Sequence, residues 1–209
     1  NIGKVLVMLL APFLGKPLPL LPLQLLWLNL LTDGLLGLGL GVEPAERNTM
    51  RRPPYSPQEN IFSRGIGLHI SWVGVLIGAL ALGVGAWYFF AGAAAWQTMI
   101  FTTLAFAQVW QALATRSMRE SIFSIGLRSN PLLLGMVSLV VALQLAVIYV
   151  PFLQDFFQTV PLTALDLTLS VGVSSLVLIC VEFEKWLVRR NDAALALPVM
   201  PAPLENARG

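Results

Sequence analysis

Charge is what this sequence has least of. Asp, Glu, Lys and Arg make up 11% of its 209 residues and hydrophobic residues 56%, whereas a soluble domain carries about 25% charged residues. So few charges cannot cover a water-facing surface, which excludes an ordinary soluble domain and leaves lipid as the covering medium. The mean hydropathy of +0.76 agrees. A single cysteine, Cys180, excludes an internal disulfide and a cysteine metal cluster. In its apolar run it reads as a small packed hydrophobe. No internal repeat is present, against an inverted-repeat transporter. The net charge of only +2 gives no basic footprint for nucleic acid. No secretory signal pattern is present. Asn1 is not an initiator methionine and the sequence starts inside an apolar stretch, so it reads as a piece of a longer protein.

What is there is a series of apolar runs of membrane length. Five full spans are expected at about 22–40, 66–90, 96–115, 132–150 and 165–188, preceded by a short one at 2–14. The expected fold is all-α: a polytopic membrane helical bundle of five full transmembrane helices plus a truncated N-terminal one. It occupies residues 1–190, and residues 191–209 form a disordered tail. The first two runs are joined by a tight proline-rich turn, and the longest connection, residues 41–65, is polar. Connections alternate in basic charge: Arg47, Arg51, Arg52 and Arg64 lie in 41–65, none in 91–95, then Arg116, Arg119 and Arg128, none in 151–164, then Lys185, Arg189 and Arg190. Basic loops stay cytoplasmic, so the 41–65 loop, the tail and the C-terminus are expected inside the cell. Lys16, on the outer turn, is the exception.

Two charges fall inside spans, Lys4 and Asp33. A charge at the bilayer centre costs about 2.5–3.5 kcal/mol even on the lenient insertion scale, so each needs a partner or a function. At 1.5 Å per residue, Lys4 lies about 15 Å and Asp33 about 16.5 Å from the turn joining their helices. An antiparallel hairpin therefore brings them to one depth, where Gln108 also arrives, about 18 Å into its own span. Asn29 and Asp33, four apart, share a helix face, with Thr32 on the same flank. Gly34, Gly37, Gly39 and Gly41 weaken the helix that follows and favour local unwinding, which would expose carbonyl oxygens. Carboxylate, amide, hydroxyl and carbonyl oxygens together suit a hard cation. Asn29, Thr32 and Gln108 also suit plain interhelical hydrogen bonds, and Lys4 a structural ion pair. His69, four residues into its span, is expected at headgroup level rather than in a site. Trp72, Trp87, Trp96 and Trp186 fit interfacial belts, and Trp27 and Trp110 fit packing.

The run from Leu21 through Trp27, Asn29, Thr32 and Asp33 to Gly34 resembles the sixth membrane helix of P-type calcium-transporting ATPases. Glu43-Pro44, Met50 and Arg52-Pro53-Pro54 resemble the loop that follows it, which in that family couples the membrane sites to the phosphorylation domain. Asn1-Ile2-Gly3 is similar to the cation-binding part of the fifth helix, and residues 102–113 to the eighth. The resemblance implies that Asn1, Thr32, Asp33 and the position of Gln108 belong to a first ion site, and Asn29 with Asp33 to a second. Two departures stand out. Lys4 replaces a glutamate, and Gln108 an acidic residue. An ammonium cannot coordinate Ca²⁺, so the resemblance with Lys4 implies one divalent ion per cycle, Ca²⁺ or Mn²⁺, with Lys4 as counter-charge. The fourth helix, the phosphorylated Asp-Lys-Thr-Gly-Thr segment and the nucleotide domain are not in this sequence. Catalytic residues, ATP and Mg²⁺ would belong to the N-terminal half of the same pump, and this piece alone would be inactive. The implied setting is a bacterial plasma membrane. A proton or monovalent-cation pump of the same family, and a non-enzymatic channel or secondary transporter module, are the competing readings.

Overall fold

The computed structural model describes residues 1–13, 15, 17–44, 66–117, 120–126 and 129–195, and among them all regular structure is helical. The helices are α1 (Ile2–Phe13), α2 (Pro22–Gly41), α3 (Ile66–Phe90), α4 (Trp96–Ala114), α5 (Ile122–Ile125), α6 (Pro131–Tyr149), α7 (Pro151–Phe157) and α8 (Ala164–Leu195). Three of them start on proline in the first turn, Pro22, Pro131 and Pro151, where a fixed φ and a missing N–H cost nothing. Asn130 caps α6, its side chain accepting from Leu133 N at 2.9 Å.

The helix bounds differ from the expected runs in two places. The connection after α6 is not all loop, because α7 forms at once behind Pro151. Helix α8 runs on to Leu195, so the first five residues of the expected tail are helical; residues 196–209, and residues 45–65 of the long loop with Met50 and Arg52, lie outside the described residues.

Helices α2, α3, α6 and α8 are long and apolar enough to cross a bilayer, and α1 is a shorter apolar helix. Helix α4 is as long as α6, 19 residues, but is more polar, with Thr98, Thr102, Thr103 and Gln108 all buried. It can be so because protein, not lipid, surrounds it: α3 and α8 pack along it and α2 and α6 touch it. Thr103 and Ser170 join α4 to α8 by a hydroxyl–hydroxyl bond of 2.7 Å. The outer faces of the other helices carry large exposed apolar side chains such as Leu30, Leu38, Val75, Phe90 and Leu165, as a lipid-facing surface requires.

Helices in lipid gain little by burying apolar surface and approach instead through small residues. An added Cβ on Gly74 would lie 2.6 Å from Ile2 Cβ, and one on Gly78 3.2 Å from the Gly3 carbonyl oxygen. These two glycines, four apart, let α1 lie directly on α3, with Lys4 buried within the bundle and Asn1 exposed just ahead of α1.

Candidate ion site

The hairpin of α1 and α2 brings Lys4 and Asp33 together as their equal depth predicts. Lys4 Nζ lies 2.7 Å from Asp33 Oδ2. It also donates to Asn29 Oδ1 and Asn1 Oδ1, both at 2.8 Å, and to the Leu28 carbonyl at 3.3 Å. Four oxygens from two helices thus converge on one ammonium, whose residue is only 5% exposed. Asp33 is less enclosed, its side chain 33% exposed.

The carbonyl in this cluster comes from an unexpected source. Helix α2 does not unwind at its glycines, and Asp33–Gly41 is regular α-helix. It widens one turn earlier: Trp27–Thr32 is π-helical, with Asp33 N bonded to Leu28 O, five residues back. The extra residue in that turn shifts the backbone donor of the Leu28 carbonyl from the fourth to the fifth residue on, and the same carbonyl also accepts from Lys4. Such single π turns inside helices recur at functional sites.

Of the other expected ligands, Gln108 approaches the cluster and Thr32 stands beside it. Gln108 lines a cavity of about 50 Å³ together with Asn1, Lys4, Gln111 and Gly74, room for a few waters. Gln108 Oε1 is buried without a protein partner, and so is the hydroxyl of Thr32, a residue with no exposed surface. Asn1, Asn29, Asp33 and Lys4 are therefore joined by direct bonds, Gln108 through a shared cavity, and Thr32 only by its place on α2. No three His, Cys, Asp or Glu side chains meet among the described residues, so any cation here would rely on amide, hydroxyl and carbonyl oxygens around one carboxylate.

Residues 17–187 match the family described as "Cation transporting ATPase, C-terminus". The chain belongs to this family. A calcium-transporting ATPase of Bacillus subtilis is 39% identical over 179 residues, covering 84% of this chain and 20% of that protein. The calcium-transporting ATPase type 2C member 2 of Mus musculus is 36% identical over 212 residues, 93% of this chain and 21% of its own length. The human type 2C member 1 is 32% identical over 204 residues, 92% and 21% respectively. The chain spans about a fifth of the length of these relatives.

This cation-ATPase C-terminal region contains polar clusters that spans and charges alone did not reveal. His69, expected at headgroup level, is buried, its Nδ1 2.6 Å from Glu184 Oε2, and Trp72 Nε1 donates to Glu184 Oε1 at 3.0 Å. Cys180 is half-buried and lines an apolar groove with Trp72 and Phe183 rather than packing in the core. Trp27 Nε1 donates to Gln144 Oε1 at 3.0 Å, tying the π turn to α6; a glutamine in the middle of the apolar run 132–150 was the available signal.

At the C-terminal end of α2, Glu43 meets Arg116. Arg116 Nε and Nη2 donate to the carboxylate at 2.7–3.1 Å, and its Nη1 to the Gly126 carbonyl at 3.0 Å. Arg116 Nη2 also bonds the Ser129 hydroxyl. Asn130 Nδ2 donates to Glu43 Oε2 at 2.8 Å and to the Gly39 carbonyl at 2.9 Å. Burial pushes the Glu43 carboxyl up, but the bonds from Arg116 and Asn130 outweigh it and hold it below its ordinary value.

Proposed function

We propose that this chain is the membrane part of an ATP-driven pump for a divalent cation, Ca²⁺ in the first place, which carries one ion per cycle. The observation that supports this most is the position of Lys4. Its ammonium occupies the meeting point of Asn1, Asn29, Asp33 and the Leu28 carbonyl, the oxygens that a first cation would need. One site is thereby filled by a resident positive charge. Asn29 and the exposed side of Asp33 remain for a transported ion, with Thr32 and Gln108 close enough to contribute. A Ca²⁺ ion takes 6–8 oxygens, more than these residues supply, so the site would be completed by the preceding half of the pump. ATP, Mg²⁺ and the phosphorylated residue would reside there too. The names of the relatives support Ca²⁺ as cargo, and Mn²⁺, with similar oxygen preference, is the other ion to test. The Bacillus relative favours a bacterial plasma membrane, and the arginine alternation a cytoplasmic C-terminus.

Lys4 serves as counter-charge. Unpaired, a carboxylate at mid-membrane depth is costly, and the ammonium neutralises Asp33 while the site is empty. An arriving divalent cation displaces it from Asp33 toward the cavity shared with Gln108. The ion pair alone would also suit a proton pump, and the same experiment separates the two. In the full-length parent, Asp33→Asn should abolish cation-activated phosphorylation from ATP and leave phosphorylation from inorganic phosphate intact. Near-normal Ca²⁺-activated phosphorylation in that variant would remove Asp33 from the site. Phosphorylation of the parent from ATP without any divalent cation beyond Mg²⁺ would favour protons.

A further inference from the structure

The glycine-rich half of α2 raises a mechanical question. Asp33 and Glu43 are ten residues apart, about 15 Å along a helix, and between them lie Gly34, Gly37, Gly39 and Gly41. Glycine weakens a helix by up to about 1 kcal/mol per residue. Around Gly34, Gly37 and Gly41 an added Cβ would meet nothing within 4 Å, so packing does not stiffen the segment at these positions. Gly39 alone is pressed on a neighbour, 2.8 Å from its added Cβ to Leu133 Cδ1. A rearrangement at Asp33 would dissipate in so soft a helix unless its far end were held.

It is held. The Arg116 side chain is 1% exposed and that of Glu43 13%. A guanidinium offers a rigid fork that fits a carboxylate, and here it grips Glu43 while also bonding the Gly126 carbonyl and the Ser129 hydroxyl. Asn130 closes the ring by bonding both Glu43 and the Gly39 carbonyl. Ala114 and Ser121 are bonded in turn by α8. Lys185 donates to the Ala114 carbonyl at 2.5 Å and to Glu182 at 2.8 Å, and Glu182 accepts from Ser121 Oγ at 2.5 Å. The end of α2 is therefore tied through Arg116 and Asn130 to the ends of α4 and α6, and α8 bonds the end of α4 at Ala114, while the ion-site turn, Trp27–Thr32, is the part of α2 with irregular bonding.

We propose that Arg116, through Glu43 and Asn130, is a positioning residue for transport: it anchors the C-terminal end of the ion-site helix, so that a change at Asn29–Asp33 is delivered beyond Glu43 instead of being absorbed by the glycines. This rests on the pump reading above. Arg116 touches neither ion nor nucleotide, and its role is to keep binding and turnover linked.

The test uses the full-length parent and compares Arg116→Gln and Glu43→Gln with the double variant. Equilibrium binding of radioactive Ca²⁺ should stay within roughly threefold of the parent. Ca²⁺-activated ATP hydrolysis should fall by about tenfold, a usual size for coupling between sites. The double variant should be no worse than the weaker single one, because all three break the same link. Arg116→Lys keeps the charge but loses the fork, and should show the same separation to a smaller degree. Several results would overturn the proposal: turnover within twofold of the parent, binding and turnover lost in parallel, effects that multiply in the double variant, or variants that fail to assemble, which would assign the network to folding alone. If the unmutated parent shows no Ca²⁺-dependent turnover, the pump reading fails first.

Discussion

Lys4 carries the chemistry that sets this site apart at the scale of single residues. One ammonium lies within hydrogen-bond distance of an oxygen each of Asn1, Asn29, Asp33 and the Leu28 carbonyl. A buried ion pair recovers little net energy, because desolvation of the two charges offsets most of their attraction. In the proposed pump its consequence would be electrostatic occupancy rather than stability, a positive charge held beside Asp33 before an ion binds. Lys4→Glu should therefore place a carboxylate beside Asn1 and Asp33 and admit a second cation. Bound Ca²⁺ per phosphorylatable enzyme, near one in the parent, should rise toward two, as equilibrium binding with radioactive calcium would measure. A ratio near two in the unmutated parent would make Lys4 a bystander. This pairing was legible in the sequence because depth along two antiparallel helices is simple arithmetic. The Leu28 carbonyl was not: which turn of a helix widens depends on what bonds to it from outside.

Between elements, close backbone approach decides the architecture. Gly74 and Gly78 let α1 sit on α3 with almost no side chain between them. Gly74→Val should push α1 away, at about 1–3 kcal/mol for overpacking, and lower the thermal midpoint in detergent. Since α1 carries Asn1 and Lys4, Ca²⁺ binding should weaken with it. Gly83 lies on the same helix with nothing within 4 Å of an added Cβ, so Gly83→Ala should leave the midpoint unchanged or raise it. If both substitutions lowered the midpoint equally, the α1–α3 contact would not be the cause. The sequence did not single out Gly74 and Gly78, because a glycine facing a neighbouring helix and one facing lipid look alike in it. His69 follows the same logic. Its position near a span end suited the headgroup layer, and only the packing of α3 against α8 buries it beside Glu184.

At the scale of the whole molecule, the alternation of arginine-rich and arginine-free connections sets the expected orientation. Ala94 lies exposed in the short connection between α3 and α4, and Ala94→Cys in a Cys180→Ala background should be labelled by an impermeant thiol reagent from outside intact cells. Labelling only in inverted vesicles would reverse the orientation. Ala94 suits this better than Gly92, whose φ of 70° strains any side chain.

The sequence by itself determined the medium, the all-helical class, the common depth of Lys4 and Asp33, and the family resemblance, because each depends on local composition or on a long contiguous motif. Tertiary structure alone decided the rest. It placed the polar helix α4 among other helices, chose the π turn over unwinding at the glycines, and tied Glu43 to Arg116 across 73 residues of chain. Those outcomes depend on which faces meet. In a bilayer nearly every face is apolar, so hydrophobicity cannot choose among them. Small residues and buried hydrogen bonds do, and both take effect only once helices distant in sequence lie side by side.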